Sequence, residues 1–232
     1  NNEIGTIQPI AEIASLIKPA GVLLHTDAAQ SAGKVELDVN ALGVDLLTLA
    51  GHKFYATKGV GALYVRSGTP IKPIMFGADQ EHGLRSGTEN VPLIVGLGAA
   101  AKLAREHLPD ATVKLSALRN KLHTRLAATV PGLVLNGHPT ERLPNTLHIS
   151  FPGISGRELL SRVADRVSAS VGSACHSEAD AVSGVLAAMG CDADRARGAV
   201  RLSVGWMTTP EEIEIAAMVL SEGVADLLER RG

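Results

Sequence analysis

Two apolar runs, each ending in polar residues suited to chemistry, constrain this chain more than any other feature. The first, Val22-Leu23-Leu24, runs into His25-Thr26-Asp27-Ala28-Ala29-Gln30. The second, Val44 to Leu49, is interrupted only by Asp45 and Thr48 and leads through Ala50 into Gly51-His52-Lys53. Short apolar runs of this kind read as strands of a parallel sheet covered on both faces. In such open sheets, ligands bind outside the carboxyl ends of the strands. Asp27 and Lys53 are therefore expected at one sheet edge. A carboxylate and a lysine brought together there suit pyridoxal phosphate: the amine takes the aldehyde as a Schiff base and the acid holds the ring nitrogen protonated.

The chain of 232 residues is long enough for one large domain or two modest ones. With 45% hydrophobic and 20% charged residues its composition is globular. A net charge of −2 gives no field toward nucleic acid or an anionic membrane. An aromatic content of 3% argues against a stacking platform for single-stranded nucleic acid. No apolar run reaches ~18 residues, which excludes a conventional membrane span. The two cysteines, Cys175 and Cys191, fit a reducing cytoplasm better than a disulfide framework. A cytoplasmic protein without nucleic-acid, membrane or metal partners is expected. The sequence starts Asn1-Asn2-Glu3-Ile4-Gly5 without a methionine and without a following signal peptide, and reads as an interior piece of a longer protein.

Helical spacing of Ile10, Ile13, Leu16 and Ile17 predicts a helix from Pro9 to Lys18, ended by Pro19. Strands follow into Asp27, over Leu42–Leu49 and over Val60–Val65. Residues Thr69 to Asn90, rich in glycine, proline and charge, read as a long functional loop. Two helices are expected next, Val91–His107 and about Ala111–Ala128, separated by a break at Pro109-Asp110. Beyond them lie strands at Leu133–Asn136, Thr146–Phe151, Ser168–Gly172 and Val200–Val204, with helices over Arg157–Val167 and Ala181–Met189. Thr209, Pro210 and Glu212 form a strong start signal for a last helix. A domain boundary is placed near Pro109.

Five short segments occur in register with one known family: His25-Thr26-Asp27-Ala28-Ala29-Gln30, Gly51-His52-Lys53, Arg85-Ser86-Gly87-Thr88, Ser173-Ala174-Cys175-His176-Ser177 and Val200-Arg201-Leu202-Ser203. In order and spacing the chain resembles the cysteine desulfurases and selenocysteine lyases, along essentially its whole length. The resemblance implies an α/β chain with the fold-type-I architecture of pyridoxal-phosphate-dependent transferases. Residues 1–109 would be the C-terminal part of the large mixed-sheet cofactor-binding domain, and 110–232 a smaller C-terminal α/β domain carrying an acceptor cysteine. The family's N-terminal portion, with a phosphate-binding Gly/Thr loop and a histidine that stacks on the ring, would precede Asn1.

Residue by residue, the resemblance makes Lys53 the Schiff-base lysine and Asp27 the partner of the pyridine nitrogen. Gln30 and Asn2 would bond around the ring's phenolic oxygen and the substrate carboxylate. His52 and Thr88 match phosphate ligands, Thr88 reaching the cofactor of a partner subunit and so implying a homodimer. Ala50 stands where many relatives have a serine, which removes one hydroxyl ligand. Arg201 matches the residue that binds the substrate α-carboxylate, for which a guanidinium fork is well shaped. Cys175 lies in a polar, glycine-containing stretch with His176 beside it to help the thiol ionise, and matches the sulfur acceptor. His25 and Cys191 read as structural.

The activity so implied is conversion of L-cysteine to L-alanine with a persulfide on Cys175. The sulfur then passes to an acceptor protein such as an iron–sulfur cluster scaffold. Selenocysteine as substrate, and a catalytically incomplete piece that needs its missing part, are the alternative readings. An aminotransferase of the same fold would keep Lys53, Asp27 and Arg201 but have no use for Cys175.

Overall fold

The computed structural model describes residues 1–172 and 183–230. The chain divides into two compact units: Gln8–Leu108, and Asn1–Ile7 together with the residues from Pro109 onward. Each is α/β, built on its own sheet.

The unit Gln8–Leu108 opens with helix α1 (Ile10–Ile17) and a 3-10 turn over Lys18–Ala20 that contains Pro19. Strand β1 (His25–Asp27) comes next. The short helix α2 (Val39–Leu42) is capped by Asp38, whose Oδ1 accepts from Asn40 N at 2.7 Å and Ala41 N at 3.1 Å. It stops at Gly43, whose φ of +68° only glycine adopts without strain. Strand β2 (Leu46–Ala50) pairs parallel with β1 and antiparallel with β3 (Gly61–Val65). Ala28, Val44 and Leu47 form the buried centre of this unit, with Ile10, Leu24, Leu42 and Tyr64 against them.

Two expectations change here. The run Val22–Leu24 is not a strand covered on both faces: Val22 and Leu23 are 52% and 47% exposed, and the strand starts at His25. The reason is that the ladder begins only at Leu24, whose carbonyl accepts from Asp45 N and Leu46 N. The expected strand over Leu42–Leu49 is likewise the end of α2, a glycine turn and then β2, because Asp38 and Gly43 supply a cap and a stop.

A third correction concerns Pro109. The structure has one helix, α3 (Val91–Thr129), with Pro109 inside it. Proline removes one backbone bond, a cost of ~3 kcal/mol. No glycine occurs between Gly98 and Gly132, and Ala, Leu, Lys and Arg dominate both sides. Strong helix formers therefore meet across the proline, with Asp110 the one turn-favouring residue beside it and no glycine to reverse the chain.

In the other unit, β4 (Val134–Leu135), β5 (Thr146–Ser150) and β6 (Ala199–Ser203) form an antiparallel sheet with β5 central. Helices α4 (Gly156–Arg162), α5 (Gly184–Ala188), α6 (Ala193–Arg197) and α7 (Pro210–Glu229) complete it. The sequence pattern had not singled out α6. Residues Ser168–Gly172 are not a strand but touch the sheet by one bridge, Ser170 to Arg201. Leu115, Leu118, Leu122 and Leu126 of α3 pack with Leu147 and Ile149 of β5 and with Ile213, Leu220 and Val224 of α7. Residues Asn1–Ile7 dock onto this unit through Leu143 N to Gly5 O at 2.8 Å and His138 N to Thr6 Oγ1 at 3.0 Å. Gly5 is needed there, with φ +80° and only 2.9 Å between a built Cβ and Thr146 Cβ. No described helix is long and apolar enough to cross a membrane.

Helix α7 starts as its sequence predicts. Thr209 Oγ1 accepts from Glu212 N at 3.2 Å, and Glu212 Oε2 accepts from Thr209 N at 2.9 Å. Thr209→Ala should cost about 1 kcal/mol, read as a lower urea midpoint at unchanged slope, and Thr209→Ser should retain most of it. Equal stability of the Ala and Ser variants would contradict the cap.

Candidate active site

The parallel pairing of β1 with β2 sets the site. Asp27, the last residue of β1, stands in register with Thr48, and the two strands run their carboxyl ends to one edge. Beyond Asp27 the chain turns inward at Ala28, which is 2% exposed and donates its N–H to Thr48 O at 3.0 Å. Asp27 stays exposed, and its Oδ1 accepts from Ala29 N at 2.8 Å. That bond orients the carboxylate and leaves Oδ2 without a described protein partner. Gln30 is half-buried in the turn that follows. His25 Nε2 bonds Thr48 Oγ1 at 2.7 Å across the same two strands.

Strand β2 delivers Lys53 to that edge through a 3-10 turn, Gly51–Lys53. Gly51 has to lack a side chain, because a Cβ would lie 2.8 Å from Val60 O. Phe54, 4% exposed, anchors the end of the turn, and His52 and Lys53 face solvent. No described protein group pairs with the Lys53 amine. Its backbone carbonyl accepts from Lys34 Nζ at 2.9 Å.

Lys34 had no sequence signal; only the turn brings it against Lys53, 19 residues away. Burial, and then the charge of Lys53, lowers its amine from 10.5 to about 8.

Thr88 is exposed at the end of a tightly folded segment. Gly77 there allows no side chain, since a Cβ would come within 2.7 Å of Ser86 Cβ. Ser86 Oγ donates to Phe76 O at 3.2 Å, and Gly87 N donates to Gln80 Oε1 at 3.1 Å.

The other unit holds the remaining residues. Arg201, in β6, donates from NH1 to Asn2 O at 2.8 Å, so the structure brings these two together. Cys175, with His176 and Ser177, lies outside the described residues. Cys191 packs partly buried against Leu186 and Ile4. A cleft of about 360 Å³ beside Leu122, Leu202, Thr208 and Ile213 is lined by none of the residues singled out.

The residues of the Gln8–Leu108 edge fit pyridoxal phosphate by their chemistry. They offer an exposed amine without a described protein partner, an oriented carboxylate with one oxygen lacking a described partner, and the exposed imidazole of His52. What the arrangement can do is hold an aldehyde-bearing cationic ring between an acid and an amine.

The Lys34 amine also makes a stability prediction. Between about pH 8 and 10.5 the unfolded chain holds a proton on Lys34 that the folded chain has lost, so stability rises with pH across that window. Wild type should therefore gain on a Lys34→Met variant in urea midpoint from pH 8 to pH 10. A constant difference between the two would contradict the burial of this amine.

The aminotransferase class-V pattern matches residues 1–215. A cysteine desulfurase IscS of Methanosarcina thermophila is 45% identical over 98% of this chain and 56% of its own length. A solved NifS-like protein superposes with a TM-score of 0.89 at 37% identity, covering 98% of this chain and 60% of that one. A NifS-like protein from Rickettsia africae gives 0.88 at 31% identity, over 97% and 60% of the two chains. The chain thus spans a little over half the length of the curated relatives it matches. With the family pattern running from its first residue into its last helix, the chain belongs to the aminotransferase class-V family.

Proposed function

We propose that the protein is a pyridoxal-phosphate-dependent cysteine desulfurase that converts L-cysteine to L-alanine and retains the sulfur as a persulfide on Cys175. The observation that carries this reading is the placing of Asp27 and Lys53 at one carboxyl edge by the β1–β2 pair. The likeness to cysteine desulfurases supports cysteine over selenocysteine as the substrate.

Bound pyridoxal phosphate supplies the sink for negative charge developing at the substrate α-carbon. Lys53 is the amine that would hold the cofactor, and the same amine would move the substrate α-proton. Asp27, oriented by Ala29 N, would hold the proton on the ring nitrogen. His52 would bond the phosphate, Gln30 the phenolic oxygen, and Thr88 the phosphate of a second copy of the chain in a homodimer. Asn2 and Arg201, already bonded to each other, take the substrate carboxylate.

The thiolate of Cys175 attacks the substrate sulfur. A sulfur–sulfur bond forms as the carbon–sulfur bond breaks, and its electron pair stays with the carbon, which is then protonated. One cysteine and one thiol enter; one alanine and one persulfide leave, without an external oxidant. An acceptor protein with a free thiol, such as an iron–sulfur scaffold, then removes the sulfur.

The test uses the full-length natural gene product with pyridoxal phosphate. Alanine should appear from L-cysteine, with a persulfide found at Cys175 by mass spectrometry. Cys175→Ser should lower the rate at least ~100-fold while leaving the cofactor absorbance in place. Lys53→Ala should remove that absorbance. Sulfide release unchanged in Cys175→Ser would refute the mechanism.

A further inference from the structure

A buried polar chain in the unit containing Asn1–Ile7 is not used by the chemistry above. It starts at Arg195 in α6, whose Nε donates to Asn136 Oδ1 at 2.8 Å. A guanidinium only donates, so the oxygen of the Asn136 amide must face Arg195. The amide nitrogen then faces Ser150 Oγ at 2.8 Å and His148 Nδ1 at 3.0 Å. His148 Nδ1 therefore accepts, and the proton of the neutral ring sits on Nε2.

That Nε2–H faces Glu3 Oε1 at 3.9 Å. His148 is fully buried and Glu3 is 2% exposed, and among the described residues neither of these two atoms has a hydrogen-bond partner. A donor and an acceptor stand buried and about 1 Å short of a bond. Leaving both unmade is costly, which favours their closing on each other. Burial, then the charges of Arg201, Arg142 and Arg195, lowers the His148 imidazole to about 4, in keeping with a neutral ring.

What surrounds Glu3 gives the pair its meaning. The carbonyl of Asn2 accepts from Arg201, and Arg201 stands directly opposite His148 in the β5–β6 register. Ser170 bridges to Arg201 and donates its hydroxyl to Gly172 O at 2.7 Å. The Glu3 carboxylate in turn covers Gly172, where a built Cβ would lie 3.5 Å from Oε1.

We propose that Glu3 and His148 form a buried positioning pair, with His148 Nε2–H holding the Glu3 carboxylate so that Asn2 and Arg201 keep the register needed to take an amino-acid α-carboxylate. The pair acts through Asn2 and Arg201 and does not touch substrate. This deepens the desulfurase reading and rests on it for the substrate, but the pair itself is testable without activity.

Two measurements on the full-length holoprotein test it. Nitrogen NMR of the wild-type histidines should show His148 neutral and protonated at Nε2 from pH 8 to pH 5. A proton on Nδ1, or an imidazolium at pH 7, overturns the proposal. In steady-state assays Glu3→Leu should raise KM for L-cysteine about tenfold with kcat within about twofold, and Glu3→Gln, which keeps an acceptor oxygen, should restore KM. An unchanged KM in Glu3→Leu, or equal defects in the Leu and Gln variants, overturns it as well. If wild type makes no alanine, the desulfurase reading fails, while the NMR result still decides whether the pair exists.

Discussion

The parallel pairing of β1 with β2 is the constraint on which the rest of the Gln8–Leu108 unit depends, and one carboxylate starts it. Asp45 Oδ2 accepts from Leu24 N at 2.9 Å, while Asp45 N donates back to Leu24 O at 2.9 Å. Arg66 closes the same corner: its N donates to Asp45 O, and its Nε to Val44 O at 2.9 Å. This clamp fixes which residue of β1 stands beside which residue of β2. Slipping the pair by one residue would reverse the faces of every side chain. Asp27 would then leave the edge at which the Gly51–Lys53 turn presents its amine.

The second unit solves a different problem. All five residues of β5 are buried, so both faces of the strand must be satisfied. Leu147 and Ile149 face the apolar core under α3 and α7. The alternate residues Thr146, His148 and Ser150 are polar and face away from that core. Asn136 satisfies His148 and Ser150 from the neighbouring strand end, and the segment with Gly5 closes over Thr146. The polar face of a buried strand thereby becomes the support for Asn2 and Arg201, the two residues proposed to bind substrate. Stability and positioning are here the same set of bonds.

Much of this was legible in the sequence where the signal is local. The cap at Thr209 and the buried stripe beginning at Ile213 need only a few neighbouring residues to be read. The polar residues after the two apolar runs point to the edge where β1 and β2 end, although the first run, Val22–Leu24, itself lies before β1. What the sequence hides is set by contacts far apart along the chain. Asp45 looks like an interruption of an apolar run, and its role depends on Leu24, 21 residues away. Glu3 and His148 meet across most of the chain, and Lys34 reaches Lys53 only once the turn has formed. Pro109 misleads for the opposite reason: a strong local breaker is overridden by the helix formers on both sides of it.

The central claim is that the amine at the carboxyl edge of β2, and no other, carries the cofactor. Borohydride reduction of the full-length protein loaded with pyridoxal phosphate, followed by peptide mass mapping, tests it most directly. A single pyridoxyl group on Lys53 is the predicted result. Label on the neighbouring Lys34, or on no lysine at all, would contradict the account.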